Sequence, residues 1–217
     1  MIPLRALLVR NSTPAMTLTI IGLNVVCFLI EISQPAYLQS RFIHTYALVP
    51  DRLHATALLT SMFLHGGWLH LIGNMWFLWV FGSHIENALG SARFVFLYLL
   101  CGVLSAVVQL MMNLGSPVPT LGASGAIAGV MGAFLVLYPR VRVVTLVFII
   151  FFITTYEIPA AFMLAYWFLI QLISGLSSVG SFSDAGGVAW FAHVGGFLAG
   201  LFLVRLFPVT RRRFNYY

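Results

Sequence analysis

Four polar side chains stand inside otherwise apolar stretches of the chain: His70 and Asn74, Ser124, and His193. Polar groups in such runs are costly, so each is a candidate for function. A serine within reach of an imidazole is an activated nucleophile with its general base. The ring takes the hydroxyl proton and later returns it to a leaving amine. That is the chemistry of acyl transfer and peptide hydrolysis. His70 and Asn74 are four residues apart, so on a helix they share one face. Both carry N–H donors suited to a developing oxyanion.

Ser124 lies in Gly122-Ala123-Ser124-Gly125, just after Pro117, Pro119 and Thr120. That places it at a helix N-terminus, where backbone N–H groups have no intrahelical partner and negative charge is favoured. Gly122, Gly125 and Gly129 allow another backbone to come close. On G-x-S-G alone, a serine that only caps its helix is about as good a reading. His193 precedes Gly196 and Gly200, a small-xxx-small face on the histidine's own side of the helix. Packing that face on the glycines around Ser124 would set the imidazole against its hydroxyl. No acid completes a triad convincingly. Glu86 is expected at the inner end of its helix, Glu157 in an inner loop, and Glu31 and Asp51 beside outer segments. Asp184 is a weak third candidate, nine residues before His193. A Ser–His dyad is the economical reading. Asn24, Gln109, Tyr166, Gln171 and Ser174 read as scattered single polar residues, and His65 as a hydrogen-bonder to the outer loop.

The elements that must hold these groups are membrane helices. Of 217 residues, 61% are hydrophobic and only 7% are charged, too few for a soluble domain. The net charge of +6 is carried by arginine alone, in short flanks between apolar runs rather than in one patch. That argues for topology signals and against nucleic acid. Cys27 and Cys101 lie in separate apolar runs and suggest neither a metal site nor a disulfide. The first apolar run is expected to be a retained anchor.

Six runs approach the length needed to span: 16–32, 69–88, 94–112, 124–138, 160–175 and 190–207. The more polar 33–68 is expected to be a folded first outer loop at the membrane surface. With six spans, Arg5, Arg10, Arg93, Arg140, Arg142, Arg211, Arg212 and Arg213 face the cytoplasm, and Arg41 and Arg52 face out. The stretch 141–156 is apolar enough to be a seventh span. Its inclusion would put the last three arginines outside, so it is expected to be an interfacial or re-entrant loop packed on protein. Depth agrees. Ser124 precedes Arg140 by 16 residues, about 24 Å of helix. His70 precedes Glu86 by the same length, and His193 precedes Pro208 by 15 residues, about 22 Å. All three then lie just below the outer surface.

Three motifs together carry a resemblance: His65-Gly66-Gly67-Trp68-Leu69-His70-Leu71-Ile72-Gly73-Asn74; Gly122-Ala123-Ser124-Gly125; and Ala192-His193-Val194-Gly195-Gly196 with Gly200. Glu86-Asn87-Ala88-Leu89-Gly90 adds to it. In this order the chain resembles the rhomboid intramembrane serine proteases, over about residues 15 to 207. The resemblance implies an all-α membrane protein, a six-transmembrane-helix bundle (16–207) with an interfacial first outer loop. Cytoplasmic tails would cover 1–15 and 208–217. It makes Ser124 the nucleophile, His193 the base, and His70, Asn74 and the Ser124 backbone N–H the oxyanion site. It implies transmembrane proteins as substrates, membrane lipid as surroundings, and no metal, cofactor or nucleic acid. Some bacterial members carry a tyrosine four residues after the serine that stacks on the histidine. Here the position is Ala128, and the sequence does not name what orients His193. A bacterial inner membrane is the expected location. The rival reading is a non-catalytic relative that binds or chaperones transmembrane helices.

Overall fold

Each of the six apolar runs folds as helix, and the polar stretches between them supply most of the turns. The computed structural model describes residues 1–149, 152–178 and 189–209. In chain order the elements are β1 (Ile2–Ala6), α1 (Ala15–Ser33), α2 (Ala36–Tyr46), a short α3 (Ala57–Thr60), α4 (Trp68–Phe77), α5 (Ser83–Leu89) and α6 (Ser91–Met112). There follow α7 (Ser124–Leu137), β2 (Arg142–Ile149), β3 (Phe152–Pro159), α8 (Ala160–Ser178) and α9 (Trp190–Leu203). A wide π turn over Leu78–Gly82 joins α4 to α5, so the second apolar run is one interrupted helix. Among the described residues, α1, α6 and α8 are long and apolar enough to cross a membrane. Helices α7 and α9 are apolar but shorter. Asp184, Arg211, Arg212 and Arg213 lie outside the described residues.

Helix α7 is the axis of the core, and every residue from Gly125 to Phe134 is buried. It is crossed by α9 with glycine on glycine. A methyl group on Gly196 would strike the carbonyl oxygen of Gly125, and one on Gly200 that of Gly129. Where the surroundings are apolar, close van der Waals packing of small residues drives helices together better than side-chain burial. On its other faces α7 meets Phe81 of the π turn, whose ring lies edge-on to Phe134 at 5.1 Å, and α6, where Gly129 faces Cys101.

Two buried carboxylates pin α1 to the rest. The first turn of a helix leaves N–H groups without partners, and here Pro14 supplies no side-chain cap. Glu86 reaches across to fill the vacancy. One of its oxygens accepts the Met16 N–H at 2.9 Å and the Ser91 hydroxyl at 2.7 Å. The other accepts the Thr17 N–H at 2.8 Å and the Thr17 hydroxyl at 2.7 Å. A negative charge at a helix N-terminus also suits the helix dipole. At the far end of α1, Glu31 accepts the His65 backbone N–H at 3.1 Å.

The all-α expectation is corrected by a three-stranded antiparallel sheet, ordered β1-β2-β3. The stretch expected as an interfacial or re-entrant loop is the hairpin of β2 and β3, with Arg142 opposite Pro159 and Ile149 opposite Phe152. The segment expected as an N-terminal tail contributes β1, with Pro3 opposite Thr145 and Ala6 opposite Val143. The physical reason is visible in β2. Val141, Val143 and Thr145 are buried while Arg142 between them is exposed, the period-2 pattern of a strand with one face covered. Branched residues suit that pleat.

The segment between α1 and α4 holds α2 and α3 and carries a buried run, Ala47, Leu48 and Val49. Leu48 and Thr120 exchange backbone hydrogen bonds at 2.9 and 2.8 Å, and the Gly122 N–H donates to the Ser61 carbonyl at 2.8 Å. The loop before Ser124 is therefore braced by the segment between the first two apolar helices. Bracing matters because irregular backbone buried away from water must have its polar groups satisfied by protein.

Candidate active site

Ser124 is the first residue of α7 and His193 the fourth of α9. The glycine contacts bring these two helices together until Ser124 Oγ lies 2.8 Å from His193 Nε2. On its other side the ring is held by a residue that sequence reasoning dismissed. Gln171 Oε1 lies 2.7 Å from His193 Nδ1, and both residues are buried. An amide oxygen can only accept, so Nδ1 carries the proton. Nε2 then has its lone pair free, and the Ser124 hydroxyl donates to it. One buried amide thus selects the tautomer in which the imidazole is a base toward the serine. Trp167, one turn earlier on α8, lies 5.7 Å from the ring, and Trp190 stands edge-on at 6.4 Å. With Ala128 fully buried in α7, orientation comes from α8 instead. A signal was present in the sequence: Trp167 and Gln171 are four apart, hence on one helix face. Its target could not be read without knowing which helix that face meets.

The donors gather across a cavity of about 620 Å³ lined by His70, Asn74, Ser124, Trp167 and His193 among others. The Gly66 N–H points to His70 Nδ1 at 3.4 Å, which leaves the proton on Nε2. Asn74 Nδ2 is buried with no hydrogen-bond partner. Both donors crowd the backbone at Gly122. A Cβ there would sit 2.8 Å from His70 Cε1 and 3.7 Å from Asn74 Nδ2, and its φ of +125° is itself a glycine conformation. Ser124, His193, His70 and Asn74 are thus gathered at one place. His65 does not line this cavity. Its backbone N–H bonds Glu31, and its ring packs edge-on to His70 at 5.2 Å. Asp184, the weak third candidate, lies outside the described residues.

Gln109 is the second polar residue that was read as isolated and is not. Its Oε1 accepts the Ala192 N–H at 3.1 Å, and its Nε2 donates to the Thr120 hydroxyl at 3.4 Å. It ties the chain just before His193 to the loop just before Ser124. Phe77, Met131 and Trp167 also line a separate, smaller cavity, together with Met1, Pro3 and Gln171. Trp76 Nε1 donates to the Pro3 carbonyl at 2.5 Å. Among the described residues no group of three or more His, Cys, Asp or Glu could hold a metal ion.

Comparison with known proteins gives the chain a family. Residues 52–208 match the Rhomboid domain model. The chain is 32% identical over 130 residues to "Rhomboid protease GluP" of Bacillus subtilis, covering 58% of this chain and 25% of that protein. It is 28% identical over 167 residues to "Rhomboid protein 1, mitochondrial" of Saccharomyces cerevisiae, covering 74% and 45%. It is 38% identical over 94 residues to "Presenilin-associated rhomboid-like protein, mitochondrial" of Mus musculus, covering 42% and 25%. The chain thus spans a quarter to under half the length of these relatives. It is a membrane protein, and the family match over most of its length makes it a member of the rhomboid family.

Proposed function

We propose that the chain is a serine endopeptidase that cleaves transmembrane proteins within or near the bilayer. The observation that carries this reading is the relay Gln171–His193–Ser124, with contacts of 2.7 and 2.8 Å beside an unpartnered donor at Asn74. In the proposed reaction Ser124 Oγ attacks the scissile carbonyl while His193 Nε2 takes its proton. The oxyanion receives hydrogen bonds from His70 Nε2, Asn74 Nδ2 and the Ser124 backbone N–H. His193 protonates the leaving amine. A water molecule then gives a proton to His193 as its oxygen attacks the acyl carbon, and His193 returns that proton to Ser124 Oγ as the ester bond breaks.

The proposed topology is six spans, formed by α1, α4 with α5, α6, α7, α8 and α9, within a domain of residues 16–207. Two contacts support it. Pairing of β1 with β2 needs an even number of crossings between residues 6 and 142. The Arg93 guanidinium donates to the Pro208 carbonyl at 3.4 Å, which needs an even number between those residues. Both chain ends then share the arginine-rich side, which the positive-inside rule makes cytoplasmic. Named relatives come from a bacterium and from mitochondria, so the expected bacterial inner membrane gains no support from them.

A fluorophosphonate probe tests the reading. Wild type is expected to label, and Ser124→Ala and His193→Ala are expected neither to label nor to cut a single-span reporter, while remaining folded. Equal labelling of wild type and Ser124→Ala would remove the serine from its role and leave a non-catalytic helix-binding protein.

A further inference from the structure

Another cavity, of about 200 Å³, lies away from the dyad where the N-terminal segment passes the π turn and α5. Its lining includes Arg5, Arg10, Trp79, Ser83 and His84, and no carboxylate. The Arg10 guanidinium is stacked 4.6 Å over the Trp79 ring, which fixes its plane. Its Nη1 is buried with no hydrogen-bond partner. His84 is 6% exposed, and its Nδ1 is likewise buried and unpartnered. The nearest acid along the helix, Glu86, has both oxygens occupied by four donors from Met16, Thr17 and Ser91.

Two adjacent buried nitrogens therefore lack partners, and one belongs to the guanidinium of the half-buried Arg10. Leaving a buried donor without an acceptor is expensive. The group that would satisfy both is an anion with several acceptor oxygens. We propose that the Arg5, Arg10, Ser83 and His84 cavity is a binding site for a phosphate group. Arginine's fork matches phosphate oxygens in pairs, and serine and histidine add short side-chain hydrogen bonds. Such a phosphate could come from a lipid headgroup or from solution. His84 lies five residues before Leu89, about 8 Å from the end of α5, which in the six-span topology is headgroup level. The binding chemistry itself does not depend on the protease reading.

The test is thermal stability of the whole delipidated protein in neutral detergent. One arm adds phosphatidylglycerol, one adds inorganic phosphate, and phosphatidylcholine is the control. A saturating anion is expected to raise the Tm of wild type by about 4 °C or more. The rise should fall by at least half in Arg10→Gln and in Arg5→Gln. Arg5 is exposed, so its variant keeps the test sound if Arg10→Gln fails to fold. A rise with phosphatidylglycerol alone identifies a lipid headgroup, and an equal rise with inorganic phosphate identifies a free anion. A rise unchanged in Arg5→Gln and Arg10→Gln, or no rise over phosphatidylcholine in either arm, overturns the proposal. Fluorophosphonate labelling is read in parallel, so loss of the dyad and loss of the anion site are separable.

Discussion

Replacing Gln171 by leucine is the sharpest perturbation of the proposed machinery. Leucine is close to glutamine in size, so the packing of α8 on α9 should survive. The acceptor 2.7 Å from His193 Nδ1 is lost, and nothing in that buried position replaces it. The ring then has two options. It keeps its proton on Nδ1 as an unpaired buried donor, which costs about 1–3 kcal/mol. Or it moves the proton to Nε2, donates to Ser124 and ceases to be a base. On either route the competent tautomer is disfavoured by that amount, and kcat should fall about 5- to 150-fold. KM should change little, because Gln171 does not line the main cavity. Gln171→Glu restores an acceptor at the same reach and should restore most of kcat. The assay is initial-rate cleavage of a single-span substrate in proteoliposomes, against substrate mole fraction, with the acylation rate by a fluorophosphonate as a second measure. A leucine variant with wild-type kcat would refute the reasoning, as would a glutamate variant as impaired as leucine with both folded.

Asn74→Ala should lower kcat about 10²- to 10³-fold with KM nearly unchanged, the cost of one oxyanion donor; the same kinetic assay checks it. Gly196→Ala and Gly200→Ala drive a methyl group into the Gly125 and Gly129 carbonyls. Each should cost roughly 3 kcal/mol or more and weaken the Ser124–His193 contact, seen as a large fall in Tm and in probe labelling. Burial, and secondarily His70, pushes the pKa of the His65 imidazole, in the loop before α4, down to about 4. The unfolded chain takes up that proton near pH 6.5, so this contribution to stability is present above 6.5 and lost as pH falls to 4. It amounts to about 3 kcal/mol, and His65→Asn should flatten the pH dependence of Tm over that interval.

Much of this protein is written in one dimension. A run of apolar residues long enough to span lipid is a local signal, and so is a polar residue where almost none occur. Hence the helices, and the candidates Ser124, His193, His70 and Asn74, were legible without coordinates. Glycine four residues from glycine on two runs also announced a close crossing. The sheet was not legible, because β1 and β2 are separated by more than a hundred residues and neither segment encodes its partner. The valines of 141–147 advertised a strand but read equally as an apolar loop. Gln171, Gln109 and Glu86 needed tertiary structure for a different reason. A lone polar residue on a helix declares a direction, and its partner depends on which neighbour that direction meets. That choice is made by the rotation and crossing of α8 against α9, and of α1 against α5. Backbone contact at glycines sets the α7–α9 crossing, and no single helix contains that information.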